Sequence, residues 1–281
     1  MDVLRTVEEL RKWSRLNRKF SATVGLVPTM GALHDGHASL IRAAVKSCAR
    51  VAVTIFVNPT QFGPHEDFAR YPRTLDADCA LAERHGADMV FAPAVEEIYP
   101  PDAATFVEVG ALSERLDGNS RPGHFRGVAT VVAKLLIAAE PDRAFFGQKD
   151  AAQIAVLRRM AADLRMGTQI VVCPIVRESD GLAMSSRNVY LSADERKQAL
   201  VLSHALQRVE AIVARGERSC SALTAAAREV FATEEPNVRI DYLELVDWDT
   251  LLPVQTAAPG TLFAVAAYIG QTRLIDNTIL L

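Results

Sequence analysis

Two histidines three positions apart, His34 and His37, lie in PTMGALHDGH (Pro28–His37), between a β-type apolar run and a helical one. Imidazole N–H groups can donate to phosphate oxygens that gain negative charge during displacement at phosphorus. Gly31 and Gly36 let the backbone approach a ligand closely, and the N–H groups opening the next helix favour an anion. A second stretch, FGQKD (Phe146–Asp150), offers Lys149 as a point charge for phosphates and Asp150 as a helix-starting residue. A third, MSSRN (Met184–Asn188), places two hydroxyls beside the Arg187 guanidinium, a suitable phosphate clamp. Asn58, Gln61 and Gln153 are neutral amides near strand ends or first helical turns. Amides hold a carboxylate without neutralising it fully, which leaves it nucleophilic. Taken singly, each motif reads equally well as a surface turn with capping or solvated side chains. Their joint occurrence points to a nucleotide site beside a neutral pocket.

These residues need elements that gather them. Val24–Pro28 reads as a strand, Thr29–Gly36 as a turn and Ala38–Cys48 as a helix with Leu40, Ile41, Ala44 and Val45 on one face. Val51–Val57 is a continuous apolar run, as expected of a strand covered on both sides. Asn58–Arg73 is a long loop with three prolines, and Gly110–Gly123 an irregular segment. Between and after them come a helix over Leu75–His85, a strand over Asp88–Ala92 and a helix over His124–Ala139. A strand over Arg143–Gly147, a helix over Asp150–Leu164 and a strand over Gln169–Pro174 follow. Such alternation predicts an α/β fold with a Rossmann-like parallel sheet and helices on both faces. In that architecture the strand-to-helix turns share one rim, where ligands bind.

From Ile175–Tyr190 onward the pattern changes to helices (Ala193–Arg215, Ala222–Thr233) followed by strands (Val238–Val246, Leu262–Tyr268, Thr272–Ile275). This predicts two domains: residues 1–176, nucleotide-binding, and residues 177–281, a smaller α+β lid. The 281 residues are 49% hydrophobic and 23% charged, which excludes a disordered chain. A net charge of −3 provides no bulk field for nucleic acid or an anionic membrane, so neither is an expected partner. MDVLRTVEEL has no signal-peptide apolar core, and Val51–Val57 is far short of a membrane span. Cys48, Cys79, Cys173 and Cys220 form no CxxC pair, which fits reduced thiols and a cytoplasmic location.

The ordered set PTMGALHDGH, IFVNPTQFG, ARYPRT, SRPGHFRGV, FGQKD, MSSRN and LIDN resembles the pantothenate synthetase (pantoate–β-alanine ligase) family over essentially the whole chain. That family is related to other nucleotide-activating enzymes with an HIGH-type loop, here HDGH. The resemblance implies that ATP and pantoate form pantoyl adenylate and pyrophosphate, and that β-alanine then yields pantothenate and AMP. It implies ATP contacts from Met30, Gly31, Ala32, Leu33, His34, Asp35, Gly36 and His37, and from Gly147, Gln148, Lys149 and Asp150. It also implies ATP contacts from Val176, Met184, Ser185, Ser186 and Arg187, with His34, His37, Lys149 and Arg187 acting on the phosphates. Gln61 and Gln153 would hold pantoate, Gln61 would also face β-alanine, and Tyr71, Asn58 and Arg121 are secondary candidates. The resemblance further implies a homodimer and Mg²⁺ accompanying ATP. Asp78 is the candidate protein ligand for the ion; Ala77 stands where some members carry an acid. A nucleotidyltransferase with a phosphate nucleophile and a non-catalytic nucleotide-binding module are the competing readings.

Overall fold

The computed structural model describes residues 1–64, 66–234 and 237–281. The chain forms two compact units, Met1–Gly147 with Val156–Pro174, and Gln148–Ala155 with Ile175–Leu281.

The first unit is built on β1 (Asp2–Leu4), α1 (Val7–Lys19), β2 (Val24–Thr29), α2 (Asp35–Ser47), β3 (Arg50–Ile55), α3 (Leu75–Arg84) and β4 (Met89–Phe91). It continues through the single turns α4 (Val95–Ile98) and α5 (Asp117–Ser120), then α6 (His124–Ala139), β5 (Arg143–Gly147), α7 (Ala151–Asp163) and β6 (Gln169–Cys173). The helix α7 contributes its first residues to the second unit. The sheet is parallel, in the order β1-β4-β3-β2-β5-β6. Chain order therefore reverses between β2 and β5, the place where an open α/β sheet leaves a crevice at its strand ends.

Why the runs become strands follows from burial. Val24–Val27 and Val51–Thr54 are buried without interruption, so both faces are covered. On one face Val27, Val51, Val53, Val90 and Phe145 pack against Leu40, Ile41 and Ala44 of α2 and Ala82 of α3. On the other side α1 packs against α6, and Ser14 donates its hydroxyl to the carbonyl of Ala139. The helix α1 opens with a capping box, Thr6 to Glu9, which satisfies two otherwise unpaired N–H groups. The strand β1 has no apolar run to announce it; pairing with β4 makes it a strand. The expected loop over Asn58–Arg73 contains two single 3₁₀ turns, Pro59–Gln61 and Asp67–Ala69, and Gly110–Gly123 contains α5. The apolar run from Val51 leaves the ladder after Ile55, two residues earlier than its composition predicts.

The second unit contains α8 (Ala193–Val213), α9 (Cys220–Ala232) and the antiparallel sheet β7 (Val238–Asp247), β8 (Thr261–Ile269), β9 (Thr272–Ile279). Its core joins Leu202, Leu206 and Val209 of α8 and Leu223 and Phe231 of α9 to Phe263, Val265 and Ile269 of β8. The last strand runs to Ile279 rather than ending at Ile275, because its register with β8 continues to the Leu262–Ile279 pair. The four cysteines are free thiols, two buried and two half-buried. No helix among the described residues is long and apolar enough to cross a membrane.

One packing contact of the first unit governs the position of Gln61. Gly127 of α6 lies against the Pro59–Gln61 turn so closely that a Cβ there would sit 2.3 Å from the Thr60 carbonyl oxygen. From the first turn of the same helix, His124 Nδ1 lies 2.7 Å from the Gln61 carbonyl oxygen, and its Nε2 lies 3.0 Å from an Arg121 guanidinium nitrogen. With the neutral ring, Nδ1–H donates and Nε2 accepts. Arg121 in turn makes two 2.6 Å bonds to Glu66. Burial would raise Glu66, but the Arg121 pair outweighs it and holds the carboxyl below its ordinary range. Desolvation, then the Arg121 cation, pushes the His124 imidazole down to about 4.

Two outcomes follow from this packing. Gly127→Ala should cost about 1–3 kcal/mol in urea unfolding, because the methyl group meets main chain rather than a yielding side chain. For His124, the unfolded ring titrates from the ordinary value of 6.5 and the folded ring near 4. Unfolded chains therefore take up the proton first as pH falls. Its stabilising effect is complete above about 6.5 and is lost progressively towards about 4, by up to about 3 kcal/mol. In urea titrations at about pH 7 and about pH 5, His124→Gln should lose less stability between them than the parent protein. Equal losses would show that His124 does not carry this dependence.

Candidate active site

The loop between β2 and α2 satisfies most of its own main chain. Gly31 and Ala32 have left-handed backbones, φ +84° and +51°. Gly31 N donates to Thr29 Oγ1 (3.2 Å), Ala32 N to Asp78 Oδ2 (3.0 Å) and Leu33 N to Asp78 Oδ1 (2.8 Å). His34 N donates to His37 Nδ1 (3.2 Å), and Gly36 N donates to His34 Nδ1 (3.1 Å). His34 is thus the N-cap of α2, and the two imidazoles form a reciprocal capping pair with centroids 4.2 Å apart. A neutral ring whose Nδ1 accepts carries its proton on Nε2. Both rings therefore present Nε2–H donors, held by backbone bonds on their inner edges. The N–H groups opening α2 are expected to favour an anion; of these, Gly36 N is taken by His34 Nδ1. The main-chain N–H groups of Gly31, Ala32, Leu33, His34 and Gly36 all have protein partners.

Met30, Ala32, Leu33, His34, Gly36 and His37 are half-buried, Gly31 is buried, and Asp35 is exposed at the start of α2. Gln61 accepts at Oε1 from Asn58 Nδ2 (3.0 Å) and directs Nε2 at the Met30 thioether (2.9 Å). A thioether is a weak acceptor, so a carboxylate would be a better partner for that N–H. The secondary candidates also make contacts within the protein. Asn58 is buried and spends its amide on Gln61 and the Gly127 carbonyl, while its oxygen accepts from Thr60 and Tyr99. Arg121 is committed to Glu66, and Tyr71 is buried with its ring edge-on to Phe62. Asp78 is buried, and its oxygens also accept from Thr74.

In the second unit, Gln148–Asp150 forms a 3₁₀ turn leading into α7, directly after Gly147 closes β5. Lys149 lies 3.7 Å from Asp150, and Gln153 is half-buried in the first turn of α7. The LIDN motif, Leu274–Asn277, explains how this turn is held. Buried Asn277 donates to the carbonyls of Gln148 (3.0 Å) and Lys149 (2.9 Å), while its oxygen accepts from Gln148 Nε2 (3.2 Å). Trp248 Nε1 donates to the Ala151 carbonyl at 3.0 Å. Asp276 pairs through both oxygens with Arg177 (2.6 and 3.1 Å). Gln148–Ala155, assigned by the sequence reading to residues 1–176, is tied in this way to the second unit.

The MSSRN segment is equally anchored. Met184 N donates to the Val176 carbonyl at 3.0 Å, closing a narrow turn through Gly181 (φ +96°). Ser185 caps the following 3₁₀ turn by accepting from Arg187 N at 3.3 Å. Asn188 donates to Glu178 (2.7 Å) and to the Ala183 carbonyl (3.1 Å), and Arg196 of α8 pairs with Glu178 and Asp180. Val176, Met184, Ser185, Ser186 and Arg187 are all half-buried. Sequence reasoning missed Asn277, Asp276, Arg177, His124 and Glu66. LIDN contains Asp276 and Asn277, and SRPGHFRGV contains His124, but no motif marks Arg177 or Glu66, and nothing local says what a distant side chain will grip.

The described residues hold no cluster of His, Cys, Asp or Glu suited to a metal ion. Both oxygens of Asp78 accept from loop amides.

Comparison with known proteins places these motifs in a family. A sequence model described as Pantoate-beta-alanine ligase matches residues 2–279. Pantothenate synthetase from Acidobacterium capsulatum is 64% identical over 258 residues, 92% of this chain and 86% of that protein. The Thermotoga neapolitana pantothenate synthetase is 53% identical over 280 residues and the full length of both. Among solved structures, the pantothenate synthetase from Thermus thermophilus superposes with TM-score 0.92 at 45% identity, covering 99% of each chain. The Francisella tularensis pantoate-beta-alanine ligase, described as complexed with Beta-gamma ATP and Beta-alanine, gives TM-score 0.81 at 31% identity. It covers 99% of this chain and 97% of its own. The chain belongs to the pantoate–β-alanine ligase family.

Proposed function

We propose that this protein condenses pantoate with β-alanine at the expense of ATP, by way of pantoyl adenylate. The observation that carries the site assignment is the pairing of His34 and His37 at the start of α2, each Nδ1 accepting from a main-chain N–H. In the first step a pantoate carboxylate oxygen attacks the α-phosphorus, and the bond to pyrophosphate breaks. No general base is needed, because a carboxylate is already ionised near neutral pH. What the step requires is alignment and charge stabilisation on the phosphates. His34, His37, Lys149 and Arg187 are the groups assigned to that task. The loop Met30–His37, the turn Gly147–Asp150, Val176 and Met184–Arg187 form the ATP contacts of this reading.

Gln61 and Gln153 orient pantoate without quenching its charge, and Gln61 also faces β-alanine. In the second step the amine nitrogen attacks the acyl carbon, AMP leaves, and one proton is released from the nitrogen. Mg²⁺ enters with ATP, through phosphates and water. The reading includes a homodimer, supported by the family resemblance, a cytoplasmic location, supported by the unpaired pattern of the cysteines, and residues 177–281 as the lid domain, supported by the change in sequence pattern there.

His37→Ala and Lys149→Ala should each lower pantoate-dependent ATP–pyrophosphate exchange by ~10²-fold or more, the scale of losing a transition-state donor. A folded variant with near-normal exchange removes that residue from the catalytic set. Gln153→Ala should weaken pantoate binding while ATP affinity by calorimetry stays similar; the opposite pattern would reverse the pocket assignment. AMP should appear only when pantoate and β-alanine are both supplied. Its release with neither acid would sink the ligase reading.

A further inference from the structure

Asp78 lies in the first turn of α3, more than forty residues beyond the loop it touches, and is 3% exposed. Its two oxygens accept from consecutive loop amides, Ala32 N at 3.0 Å and Leu33 N at 2.8 Å, and one also accepts from Thr74 Oγ1 at 3.2 Å. The loop is shaped around that carboxylate. The left-handed backbones of Gly31 and Ala32 turn successive N–H groups towards one point, a concavity suited to an anion. A Cβ at Gly31 would lie 2.9 Å from Asp78 Oδ2. Ala32 holds a left-handed conformation that side-chain-bearing residues avoid unless their surroundings enforce it. The protein has supplied its own anion where a phosphate could otherwise sit.

We infer that Asp78 is a positioning residue: its carboxylate fixes Gly31–Leu33 so that the next residues, His34 and His37, meet the nucleotide, and it is not a metal ligand. Three of its roughly four lone-pair positions are occupied by protein donors, which leaves little capacity for a cation. The inference rests on the reading of Met30–His37 as the nucleotide loop.

The test is Asp78→Asn, whose amide nitrogen would face one of the two loop N–H groups. Hydrogen exchange of the nucleotide-free protein should show Ala32 and Leu33 losing protection by ~10-fold or more while the strands of the sheet keep theirs. The KM for ATP in the exchange reaction should rise ~10-fold, as expected when catalytic groups are displaced. The Mg²⁺ concentration giving half-maximal rate should stay within about two-fold, since no metal contact is lost. Gly31→Ala provides a second variant, in case loss of the buried carboxylate prevents folding. It keeps the carboxylate but crowds it, and should reproduce the loss of protection and the higher KM. Intact protection with a large shift in Mg²⁺ requirement would overturn the inference in favour of a metal ligand. Lost protection with an unchanged KM for ATP would also overturn it. Failure of the nucleotide-loop reading is distinguishable, because it would appear as wild-type exchange in His37→Ala.

Discussion

A strand in the middle of a parallel sheet cannot turn back beside itself; its chain must leave over the rim and return through a helix. Here β2 pairs with β3 along one edge and β5 along the other, so its exit lies at the reversal of strand order. That constraint places PTMGALHDGH beyond the end of a buried strand and at the start of a helix. It also makes the loop tight, with two left-handed residues and few main-chain groups left over. Glycine at position 31 is required there by both its φ and the carboxylate beside it.

The chemically important turns share a second feature. Three of them are held from a distance by a polar side chain that bonds their main chain. Asp78 grips Ala32 and Leu33, Asn277 grips Gln148 and Lys149, and His124 grips the Gln61 carbonyl. Burying such groups is unfavourable unless they are fully paired, which makes the geometry they enforce specific. Loops rich in Gly and Ser would otherwise sample many conformations, and catalytic placement tolerates errors well below 1 Å. The supports matter to function although none of them needs to touch a substrate.

Much of the fold was legible because hydrophobic periodicity reports burial directly. The helix over His124–Ala139 and the strand over Arg143–Gly147 coincide with their expected bounds. The three-residue β1 was not legible, since its strand character depends on a partner far along the chain. Of the candidate residues, Arg121 and Asn58 also have protein partners that the sequence does not announce, Glu66 for the first and Gln61, Thr60 and Tyr99 for the second. A residue type states what a side chain can do, not which neighbour will claim it.

By itself, the sequence determined the family, the α/β class, and the positions of three anion-suited motifs, two of them between strand and helix. These are local properties, set by residue type and by spacing within a few turns. Tertiary structure alone decided that both imidazoles carry their protons on Nε2, that Asp78 faces the loop, and that LIDN secures the Lys149 turn. Each depends on hydrogen bonds whose partners are fixed only when the backbone is in place. Some are three residues apart and others more than a hundred. No periodicity along the chain encodes which buried oxygen will meet which amide.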